Sequence, residues 1–148
     1  ADHIYNDAGE SLSHMWKDGM QAYRGTTIAG LPNAFMVLGP NLGIGHNSAF
    51  IVIEAQINYI LSTLQTMRDQ QLSRVEVKAD SQKAYNRKVQ KDLQGTVWNT
   101  GGCSSYYLDK NGFNSVGFPW STLEMQRLLK EFDADSYTLT PATQPVFS

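Results

Sequence analysis

Between Phe50 and Met67 apolar residues recur at three- and four-residue steps: Phe50, Ile53, Ile57, Ile60, Leu64 and Met67. That spacing predicts a helix running to about Gln70 with those side chains turned inward. Ala49, Ile51, Val52, Ala55 and Leu61 make its first half apolar nearly all round, as in a helix that begins inside a larger body and emerges toward solvent. A chain holding such a helix must cover it. The segment before it, Phe35 to Leu38, is apolar without alternation and predicts a strand buried on both faces. One strand is little cover for so long an apolar stripe, so exposed apolar area around the helix is expected, relieved by self-association or rearrangement.

The connection between strand and helix is punctuated by glycine: Gly39-Pro40-Asn41-Leu42-Gly43-Ile44-Gly45-His46-Asn47-Ser48. Backbone N–H groups at a helix start, together with the peptide dipoles, favour an anionic or electron-rich ligand. Most helices place an acid in the first turn; here the first carboxylate is Glu54, almost two turns in. The other reading is an ordinary strand-to-helix connection whose glycines permit tight packing. His46 has no His, Cys or carboxylate at ligand spacing, so no metal site is expected there; a backbone or packing role fits it better than proton transfer.

The length of 148 residues corresponds to about one domain, and an apolar fraction of 41% allows a core. A net charge of −2 gives no electrostatic reason to expect nucleic acid or an acidic membrane as partner. No apolar run approaches the roughly 20 residues that span a bilayer, and the N-terminus lacks the pattern of a signal peptide. The chain opens on Ala1 instead of Met, as a processed or excised piece does. The single Cys103 excludes an internal disulfide and fits a reducing compartment, so a cytoplasmic protein is expected.

The remaining elements complete an α+β fold. Ser11 is placed to cap a short helix reaching Asp18 and ended by Gly19. Thr26 to Ala29 reads as a short strand and Leu31-Pro32-Asn33 as a turn. Arg74 to Lys78 alternate as a strand. Asp80 is placed to cap a second amphipathic helix to about Leu93, with Tyr85, Val89 and Leu93 inward and Lys83, Arg87, Lys88 and Lys91 outward. That basic row reads as a solvated helix face; phosphate binding is the alternative, against which stand the flanking Asp80 and Asp92. A small antiparallel sheet is expected from residues 96–98, 105–108 and 114–117, with an Asn111-Gly112 hairpin signal. Ser121-Thr122-Leu123-Glu124 forms a capping box, with Trp120 and Met125 as its staple. That helix is expected to bury Met125, Leu128, Leu129 and Phe132. The tail from Thr138 shows no periodic pattern. No Gly-x-Ser-x-Gly elbow is present, and Cys103 has no cationic neighbour in sequence to make it a nucleophile.

Four blocks of residues carry a resemblance that covers nearly the whole chain. They are Ser11-Leu12, Trp16, Gly19, Ala22-Tyr23, Gly25-Thr26-Thr27 and Leu31-Pro32-Asn33; Gly39-Pro40-Asn41 with Gly43, Gly45 to Ser48 and Glu54-Ala55-Gln56; Gly95 to Ser105 with Tyr107-Leu108-Asp109; and Phe118-Pro119-Trp120 with Phe132-Asp133 and Tyr137. Together they resemble the C-terminal part of flavin-dependent monooxygenases of the Baeyer–Villiger type. The resemblance implies FAD and NADPH as cofactors of the full-length parent, and a flavin peroxide that inserts one oxygen atom from O2 into a small ketone to give an ester or lactone. It implies FAD-side contacts at Gly39, Pro40, Asn41, Gly45, His46, Asn47 and Ser48, and NADP-side contacts at Trp98 and Gly101. Cys103 stands where better-known relatives have Asn. The family's Gly-x-Gly-x-x-Gly loops, its Phe-x-Gly-x-x-x-His fingerprint and its peroxide-stabilising arginine are absent from this sequence.

The resemblance therefore implies a piece of a longer flavoprotein with two dinucleotide-binding domains. Residues 1–72 would end the FAD-binding domain, and residues 73–148 would form a subdomain on the substrate and NADP side. The upstream part of the same polypeptide would be the partner, no catalytic residue lies in this chain, and the piece alone would be inactive and bind no cofactor. The alternative is a stand-alone ligand- or partner-binding module that self-associates through the apolar helix.

Overall fold

The N-terminal segment is ordered by short-range capping before any sheet forms. In the computed structural model, which describes residues 1–43, 48–96, 108 and 112–144, Ser11 Oγ accepts from the His14 amide at 3.2 Å and opens helix α1, Leu12–Met15. This helix stops three residues short of the expected Asp18. Trp16 turns out of it and donates its indole N–H to the Gln21 carbonyl at 2.9 Å, so the chain folds back early. Thr26 to Ala29 makes isolated bridges instead of a strand, pairing Thr27 with Tyr23 and Ile28 with Leu31. The turn at Leu31-Pro32-Asn33 forms as its residues require, with Asn33 at φ 56°.

Phe35 to Leu38 is not a strand, and its second half is exposed, Val37 at 47% and Leu38 at 50%. A doubly buried strand needs a strand neighbour, and the described residues provide none. In place of that neighbour stands the Gln56 side chain. Its Oε1 accepts from the Leu38 amide at 2.8 Å, while its Nε2 donates to the Met36 carbonyl at 3.1 Å. Leu38 sits at φ 54°, a region that costs a β-carbon-bearing residue about 1–2 kcal/mol; the bond to Gln56 holds it there.

Helix α2 runs Ala49–Asp69, as its periodicity predicts, but it is rotated from the expected face. Its buried residues are Val52, Ala55, Gln56, Tyr59, Thr63 and Met67. Of the six residues expected inward, only Met67 is buried; Phe50 is 80% exposed, and Ile57 and Leu64 are also exposed. Both faces of this helix are apolar enough to be inward, so periodicity alone does not choose between them. Polar partners choose: the Gln56–Tyr59–Thr63 side meets carbonyls and a carboxylate inside this chain.

Strand β1, Leu72–Val77, follows directly and pairs antiparallel with β2, Tyr137–Pro141, in the register Val75 to Leu139 and Val77 to Tyr137. The small sheet therefore exists, but with other strands than expected. The tail from Thr138 supplies β2, and the alternation Tyr137, Leu139 is enough because its partner β1 buries Leu72, Val75 and Val77 beneath it. Of the expected sheet, residues 97–107 and 109–111 lie outside the described residues. Asn114 to Gly117 contributes single bridges, Asn114 to Leu108 and Gly117 to Gly43.

Helix α3, Ala79–Leu93, begins one residue before Asp80, with Lys78 as an N-cap whose side chain makes no capping bond. Asp80 lies in the first turn, where it favours the dipole. Val89 and Leu93 are fully buried, as the spacing predicts. Helix α4, Thr122–Leu128, is capped by Ser121 Oγ accepting from the Glu124 amide at 3.2 Å. Half of the capping box forms; the Glu124 carboxylate turns instead to Arg127 at 2.8 Å. A turn of 3-10 helix, Ala134–Ser136, leads into β2.

The principal core gathers Tyr23, Leu42, Val52, Tyr59, Met67, Val75, Phe118, Met125, Leu129 and Tyr137, and a smaller one holds Leu12, Ala22 and Ile28. The architecture is α+β, with a two-stranded sheet.

Candidate functional site

The loop before α2 is built from close backbone approaches. A β-carbon at Gly39 would lie 2.2 Å from the Gly25 carbonyl oxygen, and one at Gly43 would lie 2.6 Å from the Val116 carbonyl oxygen. Only glycine fits at either place. The Asn41 amide donates to the Ser115 carbonyl and the Gly43 amide to the Val116 carbonyl, both at 2.8 Å. Two of the N–H groups of the expected ligand loop therefore serve internal packing.

Asn41 is 2% exposed. Its Nδ2 donates to the Asn114 carbonyl at 2.7 Å and the Gly117 carbonyl at 3.0 Å, which locks the loop onto 114–117. Its Oδ1 has no hydrogen-bond partner among the described residues. Pro40 is buried. Leu38, Gly39, Pro40, Leu42 and Gly43 form one wall of an apolar cleft of about 320 Å³, completed by Trp16, Met20, Met36, Ser115 and Val116.

The start of α2 answers the electrostatic expectation directly. No acidic residue lies in its first turn, and Ser48 Oγ accepts from the Phe50 amide at 3.3 Å. Ser48, Ala49 and Phe50 are all exposed. Among the described residues the helix start is therefore capped by a hydroxyl and has no carboxylate in its first turn. Gly45, His46 and Asn47, expected on the FAD side, and Trp98 and Gly101, expected on the NADP side, lie outside the described residues. Among the described residues no group of three or more His, Cys, Asp or Glu side chains is placed to hold a metal ion. None of the described helices is long and apolar enough to cross a membrane.

Two buried polar clusters hold this site in place, and the sequence reading missed both. Gln56 is completely buried. Beyond Leu38 and Met36 it donates to the Gly25 carbonyl and to Thr26 Oγ1, each at 3.0 Å, so one side chain ties both approaches to the loop onto α2. The second cluster surrounds Asp133. Tyr59 donates its hydroxyl to Asp133 Oδ1 at 2.5 Å, Tyr23 donates to Oδ2, and Arg24 pairs with Oδ2 at 3.3 Å. The Tyr137 hydroxyl joins Tyr59 at 3.0 Å and Thr27 at 2.7 Å. Burial raises the Tyr59, Tyr137 and Tyr23 phenols above their ordinary value, and the Asp133 carboxylate adds to this. These phenols are therefore neutral donors, suited to fastening and unsuited to proton exchange at neutral pH. A signal was present: Ala22-Tyr23, Gly25-Thr26-Thr27, Gln56, Phe132-Asp133 and Tyr137 all belong to the blocks that carry the resemblance. Those blocks therefore mark internal fastenings of the chain.

Comparison with known proteins places the chain. No protein-family model matches it. It is 43% identical to a Baeyer–Villiger monooxygenase of Pseudomonas aeruginosa over 138 residues, 93% of this chain and 26% of that protein. It is 33% identical to an FAD-binding monooxygenase of Aspergillus niger over 84% of this chain and 21% of that protein. The structure superposes on an oxidised steroid monooxygenase bound to NADP with a TM-score of 0.80, at 15% identity, covering 94% of this chain and 27% of that one. The chain is thus a homologue of the flavin-dependent monooxygenases over one segment of their fold. Within that class it corresponds to the C-terminal part of the Baeyer–Villiger type. It spans about a quarter of the length of the curated relatives it matches.

Proposed function

We propose that this chain is the C-terminal portion of an FAD- and NADPH-dependent monooxygenase that inserts one oxygen atom from O2 into a small ketone, giving an ester or lactone. The observation that carries the reading is the 43% identity to a Baeyer–Villiger monooxygenase across 93% of the chain. Two features support it: the start of α2 is exposed and free of acid in its first turn, and Leu38 to Gly43 wall an apolar cleft. When bound, the flavin supplies the activated oxygen. This chain supplies the FAD-side surface at Gly39, Pro40, Asn41, Gly45, His46, Asn47 and Ser48, and the NADP-side contacts at Trp98 and Gly101. Gly39 and Asn41 act by shaping the loop, because their atoms face Gly25 and 114–117. Ser48 orders the first amides of α2. The uncharged lining of the cleft suits a neutral substrate. In this reading residues 1–72 finish the FAD-binding domain, residues 73–148 form the substrate- and NADP-side subdomain, and the protein is cytoplasmic.

The test is oxidation of NADPH by the intact, FAD-loaded polypeptide. Ketone-dependent oxidation with formation of an ester or lactone is expected. Absence of bound flavin, or NADPH oxidation that no ketone stimulates, would refute the reading. A second reading, self-association of a stand-alone module, draws support from the exposed Phe50, Ile57, Leu61 and Leu64 on α2. Sedimentation of the intact polypeptide separates the two, since cover of that face by the upstream part of the same chain removes the drive to associate.

A further inference from the structure

We propose that Gln56 is a positioning residue for oxygen insertion: it ties the entry of the FAD-side loop to α2, so that NADPH oxidation ends in ketone oxygenation and not in release of hydrogen peroxide. The inference rests on the monooxygenase reading above. Of the described FAD-side residues, Gly39, Pro40 and Asn41 belong to the loop and Ser48 caps α2. Gln56 lies on that same helix, a rise of about 12 Å beyond the cap. A side chain held there fixes the loop entry relative to the helix start.

Among the described residues, the Gln56 side chain bonds only to the two approaches to the loop, Gly25-Thr26 and Met36 to Leu38. The Gly25 carbonyl has two duties. It accepts from Gln56 Nε2 at 3.0 Å, and Gly39 packs so closely against it that no β-carbon fits. Gln56 therefore sets the seat of Gly39. Its Oε1 also accepts from the Leu38 amide at 2.8 Å, with Leu38 at φ 54°. A residue bearing a β-carbon leaves that region unless it is held, and its relaxation redirects Gly39 and Pro40, which follow directly. The other end of the loop is fastened independently. Asn41 Nδ2 donates to the Asn114 and Gly117 carbonyls, and the Gly43 amide donates to the Val116 carbonyl. Loss of Gln56 thus moves the entry and leaves the exit in place. The expected result is a distorted site that still binds FAD, not an empty one.

The effect is read in the balance of two outcomes. Coupled turnover converts ketone, O2, NADPH and a proton into ester or lactone, NADP+ and water. Uncoupled turnover converts O2, NADPH and a proton into NADP+ and hydrogen peroxide, and leaves the ketone unchanged. Only the first needs the ketone and the activated oxygen in one geometry, and a misplacement of about 1 Å costs such a step about a hundredfold. A side chain that served stability alone would not shift this balance.

The test uses the intact, FAD-loaded polypeptide below the thermal midpoint of each variant, with cyclohexanone and 2-octanone as probes. Product and peroxide are measured per NADPH oxidised. Gln56→Met, close in length but without the amide, is expected to keep its flavin, to shift the visible flavin band and to lower product per NADPH about tenfold, with peroxide rising in its place. Thr26→Val removes one acceptor of Gln56 Nε2 and is expected to show a smaller fall in the same direction. It decides the outcome if Gln56→Met fails to fold. Val89→Ala, a fully buried position on α3 outside this cluster, controls for lost stability: its thermal midpoint is expected to fall and its coupling to match the parent. Parent-like coupling in Gln56→Met, loss of its flavin, or equal uncoupling in Val89→Ala overturns the proposal; so does parent-like coupling in Thr26→Val where Gln56→Met does not fold. Each of these leaves the monooxygenase reading standing. A parent polypeptide that binds no flavin, or oxidises NADPH without response to either ketone, overturns both.

Discussion

Helices α2 and α3 differ in what they turn inward. α3 buries Val89 and Leu93 with one polar residue, Asn86, and presents Lys83, Arg87, Lys88 and Lys91 to solvent. α2 buries Gln56, Tyr59 and Thr63 and presents Phe50, Ile57, Leu61 and Leu64. The first is an amphipathic helix whose burial is completed inside this chain. The second uses hydrogen bonds to hold its inner face and leaves apolar surface for something outside the chain, in keeping with a segment covering about a quarter of its relatives' length. The lesson is that polar residues in an apolar helix fix its rotation. A carbonyl and a carboxylate accept only from a donor aimed at them, whereas apolar contact is available in many orientations.

That contrast is open to attack at several points. The largest effect is expected for Gln56→Leu, which leaves the Gly25 and Met36 carbonyls and the Leu38 amide without their partner. A loss on the order of 3 kcal/mol or more is expected in denaturant unfolding. A loss under about 0.5 kcal/mol would show that α2 is held by apolar contact after all. Next comes the outer face. Leu61→Ser with Leu64→Ser is expected to cost about 2 kcal/mol per residue in the intact polypeptide, yet to leave the isolated segment nearly as stable and less associated in sedimentation. Equal effects in the two contexts would mean that the face is not covered in the whole protein.

Tyr59→Phe is expected to cost about 1 kcal/mol at neutral pH. Here the sign of the pH dependence is set by burial, which holds the Tyr59 phenol above its ordinary 10.0. The folded state keeps its proton longer than the unfolded chain, so the contribution is complete below pH 10 and lost as pH rises beyond it. Phenolate absorbance is expected to appear together with unfolding, and Tyr59→Phe to flatten the alkaline fall. The smallest effect belongs to α3. Lys88→Ala removes an exposed pair to Asp92, expected to contribute at most about 1 kcal/mol. The hydrogen bond from Lys88, then that from Trp120, holds the Asp92 carboxyl below its ordinary 3.8. This contribution is present above that pH and disappears as pH falls through the lower folded value, so the variant and the parent chain are expected to converge in acid melts.

Much of the architecture was legible because it is local. Helix α3 and the caps at Ser11 and Ser121 depend on residues within a turn or two of one another, and all three form. Phe35 to Leu38 failed as a strand because strand formation needs a distant partner that periodicity does not reveal. For the same reason β2 was missed: Thr138 to Pro141 is ordered by β1, more than sixty residues earlier. At the candidate site, the lack of an acid opening α2 was readable and is seen in the structure. The internal duties of Gly39, Asn41 and Gly43 were not, since they depend on Gly25 and on 114–117.

By itself the amino-acid sequence determined the kinship of the chain, where its helices run and which helix opens without a negative charge, because each of these is written in neighbouring residues. Which side of α2 faces inward, which strands pair, and which cation of α3 pairs with Asp92 were decided only in three dimensions. There the hydroxyls of Tyr23 and Tyr59 meet Asp133, the Gln56 amide meets two separate loops, and Asp92 bonds to Lys88 and Trp120.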